Sequence, residues 1–144
     1  YRLSRLKEKI RNSDNTQPSL TGDNDFLKKI GQLEIELKAL EFTELRTLAA
    51  VSVGKAPGPE SSLLKIRGTE IQQKLDELFM EAAGYFSLPY VPQQYNLNSD
   101  PEEHVGFGAD SVSSLVYFNN RKASIYGGSN EIQKNIIAKH VLGL

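Results

Sequence analysis

Apolar residues recur at three- and four-residue spacing along most of the chain, and this spacing predicts helices. The longest stripe predicts a helix from about Asp25 to Val53, and a second long helix is predicted from Pro59 to about Ala83. A short basic helix is predicted over residues 1–11. The members of the three stripes are Leu3, Leu6 and Ile10; Phe26, Ile30, Leu33, Leu37, Leu40, Leu45 and Leu48; and Leu64, Ile71, Leu75, Leu78 and Ala82.

Two shorter helices are predicted nearer the end of the chain, from about Asp110 to Arg121 and from about Ser129 to Leu142. Turn-forming residues predict loops over residues 12–24 and 85–109. Strict alternation of apolar and polar residues, which would indicate strands, is missing. We therefore expect an all-α fold, an antiparallel (four-)helix bundle. The apolar side of the last helix is Ile132, Ile136, Ile137 and Val141.

The bulk properties narrow the class of protein. The 144 residues amount to one domain. A net charge of −1, from 17 basic and 18 acidic residues, provides no field for nucleic acid or an anionic membrane. The absence of cysteine excludes disulfides and thiolate metal sites, and no apolar run approaches the ~20 residues of a membrane span. We expect a cytoplasmic protein without nucleic-acid or membrane partners.

The histidine, acidic, basic and aromatic side chains give little indication of a catalytic or metal site. His104 and His140 have no second ligand at metal-binding spacing, so we predict no metal site and no catalytic histidine. The glutamates expected on solvated helix faces are Glu34, Glu41 and Glu44. For two further sets of residues, the sequence leaves two interpretations open: they are ordinary surface residues, or they contact a ligand. These are Lys55, Lys65 and Arg67, which could meet an anionic group such as a phosphate, and the aromatic residues Tyr85, Tyr90, Tyr95 and Phe107.

Several glycines stand at informative positions. Gly54 is predicted to end the first long helix, and Gly68 inside the second predicts close packing of two helices. Gly127 and Gly128 permit a tight turn and close approach of the backbone to a ligand. Ser129 follows as a predicted N-cap. Free N–H groups at the start of a helix can hold a phosphate or an oxyanion, although many such turns only cap helices.

The segment from Tyr126 to Gln133 resembles the C-terminal signature of the acyl-CoA dehydrogenase family, Tyr-Glu/Gly-Gly-Thr/Ser-x-Glu/Gln-Ile. The closing residues 136–144 resemble the C-terminus of that family, and the helices match its C-terminal domain in number and order. The resemblance implies that residues 1–144 are the C-terminal helical-bundle domain, a fragment of a longer chain with an N-terminal helical and a middle β domain. The opening at Tyr1, which looks like the tail of an earlier helix, agrees with this expectation.

The resemblance also implies a reaction. Members of the family oxidise acyl-CoA to 2,3-enoyl-CoA, with a carboxylate removing the α-proton and FAD accepting the β-hydrogen as hydride. The acyl-CoA is the expected substrate and FAD the expected cofactor, with an electron-transfer flavoprotein as the electron acceptor. Relatives are usually homotetramers whose C-terminal bundles form the assembly core, so we expect a dimer or tetramer.

Residue by residue, the resemblance implies that Ser129 and Glu131 face the phosphate or ribose side of the flavin. Tyr126, Gly127 and Gly128 would line the reacting end of the substrate. Many members carry the catalytic glutamate where this chain has Gly127, so we predict no catalytic base at that position. Members with glycine there place a glutamate on an earlier helix of the same domain.

Other sequence motifs of the family are not kept in this chain. A Gln-x-x-Gly-Gly turn that contacts flavin in relatives has its nearest match in Glu81-Ala-Ala-Gly-Tyr85. The Arg-x-x-Phe-Gly turn is replaced by residues 12–24, and Phe118-Asn-Asn-Arg-Lys replaces a common Arg-Asp. Glu8 lies in a basic, exposed stretch and is not predicted to be the base. Two interpretations follow: part of an active dehydrogenase, or a non-catalytic helical oligomerisation subunit of a heteromeric dehydrogenase.

Overall fold

The computed structural model describes residues 1–12, 20–88 and 112–143. Five α-helices and no strand are found within these ranges, which confirms the all-α prediction. The helices are α1 (Arg2–Arg11), α2 (Asn24–Ser52), α3 (Glu60–Ala83), α4 (Ser113–Asn120) and α5 (Asn130–Leu142). Short 3-10 helices span Leu20–Gly22, Gly84–Ser87 and Arg121–Ser124.

The ends of α2 follow the chemistry of helix capping. The carboxylate of Asp23 accepts from the backbone N–H groups of Asp25 and Phe26 at 2.9 and 3.1 Å, and it thereby satisfies donors that have no partner in the helix. Gly54 ends the helix at φ +83°, with its N–H donating to the carbonyl of Val51 at 2.9 Å. The predicted C-cap is therefore confirmed.

The chain divides into two compact units. The first comprises Tyr1–Gly31 and Gln73–Arg121. Its interior holds an ion pair, because Arg2 lies 2.5 Å from Asp76, whose side chain is fully buried. Asn120 donates to the other carboxylate oxygen at 2.8 Å, so that α1, α3 and α4 meet on one buried charge. The buried apolar residues are Leu3, Leu6, Ile10, Phe26, Ile30, Leu75, Leu78, Ala82, Ala83 and Leu115.

The second unit comprises Gln32–Gln72 and Lys122–Leu144. Its buried apolar residues are Leu33, Ile66, Ile71 and Ala123. A Cβ at Gly68 would lie 4.0 Å from Leu40 Cδ2, which is an ordinary contact. The helices are thus neighbours at Gly68, as predicted, but they leave room for a methyl group.

The predicted apolar stripes are only partly buried. On α2, Phe26, Ile30 and Leu33 are buried, whereas Leu37, Leu45 and Leu48 are exposed. On α5 none of the four predicted apolar residues is buried, because Ile132, Ile136 and Val141 are exposed and Ile137 is half-buried. Periodicity identifies an apolar face but does not tell whether the same chain covers it.

The aromatic and histidine predictions for residues 89–111 lie outside the described residues; they concern Tyr90, Tyr95, His104 and Phe107. The predicted helix near Asp110 is described from Ser113 onward. Among the described helices, none is long and apolar enough to cross a membrane.

Candidate functional site

The signature segment begins where the chain leaves the 3-10 helix Arg121–Ser124. The N–H groups of Ile125 and Tyr126 both donate to the carbonyl of Lys122, at 2.9 and 3.1 Å. These bonds close the last turn and present the Tyr126 side chain to solvent, with 56% of it exposed. The ring is therefore free to contact a group that approaches the turn.

Two consecutive glycines then turn the backbone into α5. Gly127 has φ +68° and Gly128 has φ +86°, a region that costs other L-residues about 1–2 kcal/mol each. A Cβ on Gly128 would also lie 2.6 Å from Nε2 of Gln133, whereas one on Gly127 would meet nothing within 4 Å. The Gln133 amide donates to the Gly127 carbonyl at 3.4 Å. Because the Gln133 amide is the far end of a flexible side chain that can move, both glycines are required by their conformation.

Ser129 caps α5, as predicted. Its backbone is extended, with φ −60° and ψ 157°, and its hydroxyl accepts from the N–H of Ile132 at 3.4 Å. At the other end of α5, Gly143 takes φ +69° and its N–H donates to the carbonyl of Lys139. Local capping therefore fixes the start of α5 directly after the two glycines.

Glu131 lies in the first turn of α5 and is exposed to solvent. Its own backbone N–H lowers the pKa of its carboxyl group, with further lowering from the Ser129 hydroxyl and from Lys134 and Lys65. A negative charge is also favoured at a helix N-terminus by the helix dipole. The charged form of Glu131 is therefore favoured at the start of α5.

Asn130 is the residue of α5 that is buried, and its partners come from α3. The Lys65 ammonium donates to Asn130 Oδ1 at 2.8 Å, and the Thr69 hydroxyl lies 3.3 Å from the same oxygen. Lys65 is therefore more than a surface charge, which was one of the two interpretations of this residue from the sequence. The sequence shows Lys65 and Asn130 separately, and nothing in it pairs two residues 65 positions apart.

The other two basic candidates lie on the surface. Lys55 is exposed. Arg67 pairs with Glu70 at 2.9 Å on the surface of α3, and this hydrogen bond raises the pKa of Arg67. Neither lies in a described contact with the glycine turn.

The acidic and aromatic candidates are also placed on the surface. Glu34, Glu41 and Glu44 are exposed on α2, as predicted, and Glu41 pairs with Lys38 at 2.7 Å. Tyr85 is 88% exposed. Glu8 is exposed on α1, as is His140 near the end of α5. Within the described ranges, no three His, Cys, Asp or Glu side chains come together in a way that could hold a metal ion.

The described parts of the chain thus define an all-α domain whose last helix begins at a Gly-Gly-Ser turn. The sequence model of the acyl-CoA dehydrogenase C-terminal domain matches residues 3–142. This chain belongs to that family, a family of oxidoreductases.

A solved structure carries the same fold. The crystal structure of the ChsE4-ChsE5 complex from Mycobacterium tuberculosis superposes with a TM-score of 0.72 at 22% sequence identity. The alignment covers 99% of this chain and 34% of that chain. The present chain therefore spans about a third of the length of the solved one. No curated protein matches the sequence.

Proposed function

We propose that residues 1–144 are the C-terminal helical domain of an FAD-dependent acyl-CoA dehydrogenase that oxidises acyl-CoA to 2,3-enoyl-CoA. An N-terminal helical domain and a middle β domain would belong to the same longer chain. The observation that carries the proposal is the turn from Tyr126 to Glu131. It keeps the family's residue types, and both glycines take the positive φ angles that only glycine adopts readily.

The residues at the start of α5 fit one part of FAD better than another. The Ser129 hydroxyl and the Glu131 carboxylate supply polar groups on an exposed surface. A carboxylate accepts hydrogen bonds from hydroxyls but repels phosphate. Glu131 therefore fits a ribose hydroxyl, and Ser129 is the group here that a phosphate oxygen would tolerate. When bound, FAD supplies the hydride-accepting ring that the oxidation needs.

The turn itself would serve the reacting end of the substrate. Tyr126 offers an exposed ring, and Gly127 and Gly128 leave the backbone without side chains that would obstruct a thioester. Gly127 also stands where many relatives have their catalytic glutamate. The α-proton must then be removed by a carboxylate elsewhere in the intact protein, and a base needs a pocket that raises its pKa. Exposed Glu8 does not meet that requirement.

Exposed apolar residues on α2 support an oligomer. Ile35 and Phe42 on α2, with Val53 just beyond the end of the helix, are here called the outer stripe and are 67, 61 and 73% exposed. At 3.6 residues per turn Ile35 and Phe42 lie on the side of α2 opposite buried Leu33. Such a stripe is typical of a helix that packs on a partner. We infer a homodimer or homotetramer, with an electron-transfer flavoprotein as electron acceptor and the cytoplasm as location.

A second candidate function is a non-catalytic oligomerisation subunit of a heteromeric dehydrogenase. Gly127 favours it, because the usual base is missing from its usual place. The two candidates differ in whether the intact protein retains flavin.

The test is flavin retention by the intact protein with Gly128→Trp, measured from the visible absorbance after gel filtration. Gly54→Trp is a matched control, because Gly54 also has a positive φ, +83°, and nothing lies within 4 Å of its Cβ position. Both variants carry similar backbone strain. We expect flavin to be lost with Gly128→Trp and kept with Gly54→Trp. An intact wild-type protein without flavin would instead favour the non-catalytic subunit.

A further inference from the structure

The first residue of α5 is fixed by a polar anchor. Asn130 is the one α5 residue that is buried, whereas the isoleucines of this helix are exposed or half-buried. Apolar packing therefore contributes little to the placement of the helix start. The described contacts that hold it come from Lys65 and Thr69 on α3.

Lys65 is the stronger of the two partners. The Thr69 hydroxyl has a single proton, and it lies 2.8 Å from the Ile66 carbonyl but 3.3 Å from Asn130 Oδ1. Its proton is therefore directed mainly to Ile66. The ammonium of Lys65 lies 2.8 Å from Asn130 Oδ1 and is charged, so its hydrogen bond is about twice as strong as a neutral one.

A lysine is an unusual anchor at this position. The N-terminus of a helix carries partial positive charge, which opposes a cation nearby. Glu131 offsets that opposition, since its carboxylate lies close enough to Lys65 for the charge of the lysine to lower the pKa of Glu131. Lys65, Asn130 and Glu131 thus form a balanced polar group directly beside Ser129.

We infer that Lys65 is a positioning residue, which holds Asn130 and thereby fixes where the Gly127–Ser129 turn presents its backbone to a ligand. The inference rests on the proposed function in so far as that ligand is the flavin and the thioester. The link is short, because Ser129 is the residue immediately before Asn130. A shift of Asn130 would move the cap and the preceding glycines with it.

The test compares the intact protein with Lys65→Met, Lys65→Arg and a matched control, Lys74→Met. Met keeps the length of the side chain and removes its donors, and Lys74 is an exposed lysine on the same helix. We expect Lys65→Met to weaken FAD binding roughly tenfold or more, the factor contributed by a hydrogen bond to a charged group. Lys65→Arg should restore most of this loss, and Lys74→Met should bind as the wild type does.

A second readout separates this inference from the proposed function. Amide hydrogen exchange at Ile132 and Gln133 reports on the first turn of α5 whether or not flavin binds. We expect faster exchange there in Lys65→Met and in Asn130→Ala, but not in Lys74→Met. Unchanged exchange, or a lowered melting temperature with unchanged FAD affinity, would overturn the positioning role. A wild-type protein without flavin whose exchange still responds to Lys65→Met would overturn only the proposed function and leave the anchor in place.

Discussion

At the scale of single residues, the start of α5 is stabilised by local interactions of Ser129 and Glu131 with the first turn of the helix. The Ser129 hydroxyl accepts from Ile132, and the same hydroxyl lowers the pKa of Glu131. The backbone N–H of Glu131 also favours the charged form of its own carboxylate and lowers its pKa. The turn therefore needs no ligand in order to form. A ligand that binds there adds to contacts that already exist, which is the condition for a preorganised site.

Glu131 gives a prediction about pH. Its pKa in the folded protein lies below the ordinary value of 4.5, so its charge stabilises the fold above that value. The stabilisation is lost as the pH falls through the lowered pKa. We expect Glu131→Gln to reduce the unfolding free energy at pH 7 and to have no such effect in strong acid, as measured by urea unfolding.

The control for this prediction is Glu44→Gln, which removes an exposed glutamate from the middle of α2. A difference between Glu131→Gln and the wild type that stays constant from neutral to strongly acidic pH would show that the charge of Glu131 contributes nothing. The same result would weaken the case for a carboxylate held at the start of α5.

At the scale of elements, α2 carries both buried and exposed apolar residues. Its first half is buried through Phe26, Ile30 and Leu33, and burial of each such side chain contributes about 1.5–3 kcal/mol. The side of α2 opposite these residues carries the outer stripe from Ile35 onward, which the described residues leave exposed. One helix thus belongs both to the core of this chain and to a surface suited to a partner.

The outer stripe predicts how assembly responds to substitution. We expect Phe42→Glu to shift the intact protein to a smaller species in sedimentation velocity, because a charge in an apolar interface is costly to bury. Leu48→Glu is the control, since Leu48 is 57% exposed on the same helix but lies about 120° around it from Phe42. An unchanged oligomer in Phe42→Glu would remove the stripe from the interface.

At the scale of the whole molecule, the sequence is informative about elements and less so about their surroundings. The helices and the caps Gly54 and Ser129 were predictable, because helical periodicity and capping depend on neighbours in the chain. The exposure of Leu45 and Ile132 was not, because the same apolar pattern serves an internal core and an interface. The pairing of Lys65 with Asn130 depends on tertiary structure and leaves no local signal.

In the candidate site too, some features could be predicted from the sequence and others could not. The turn Tyr126–Gly128 and the capping role of Ser129 were accessible from residue types, since only glycine adopts those φ angles at low cost. The lowered pKa of Glu131 was not, because it depends on where the side chain lies relative to the start of its helix and to Lys65. The roles of these residues toward flavin and substrate are still predictions.

The central claim is that this domain serves an acyl-CoA oxidation. The most direct measurement is an anaerobic titration of the intact protein with a panel of acyl-CoA thioesters, followed by visible absorbance. We expect bound flavin that loses its absorbance with one class of acyl chain, and a response that is abolished in Gly128→Trp but kept in Gly54→Trp. Flavin that no acyl-CoA reduces, or a protein that holds no flavin, would contradict it.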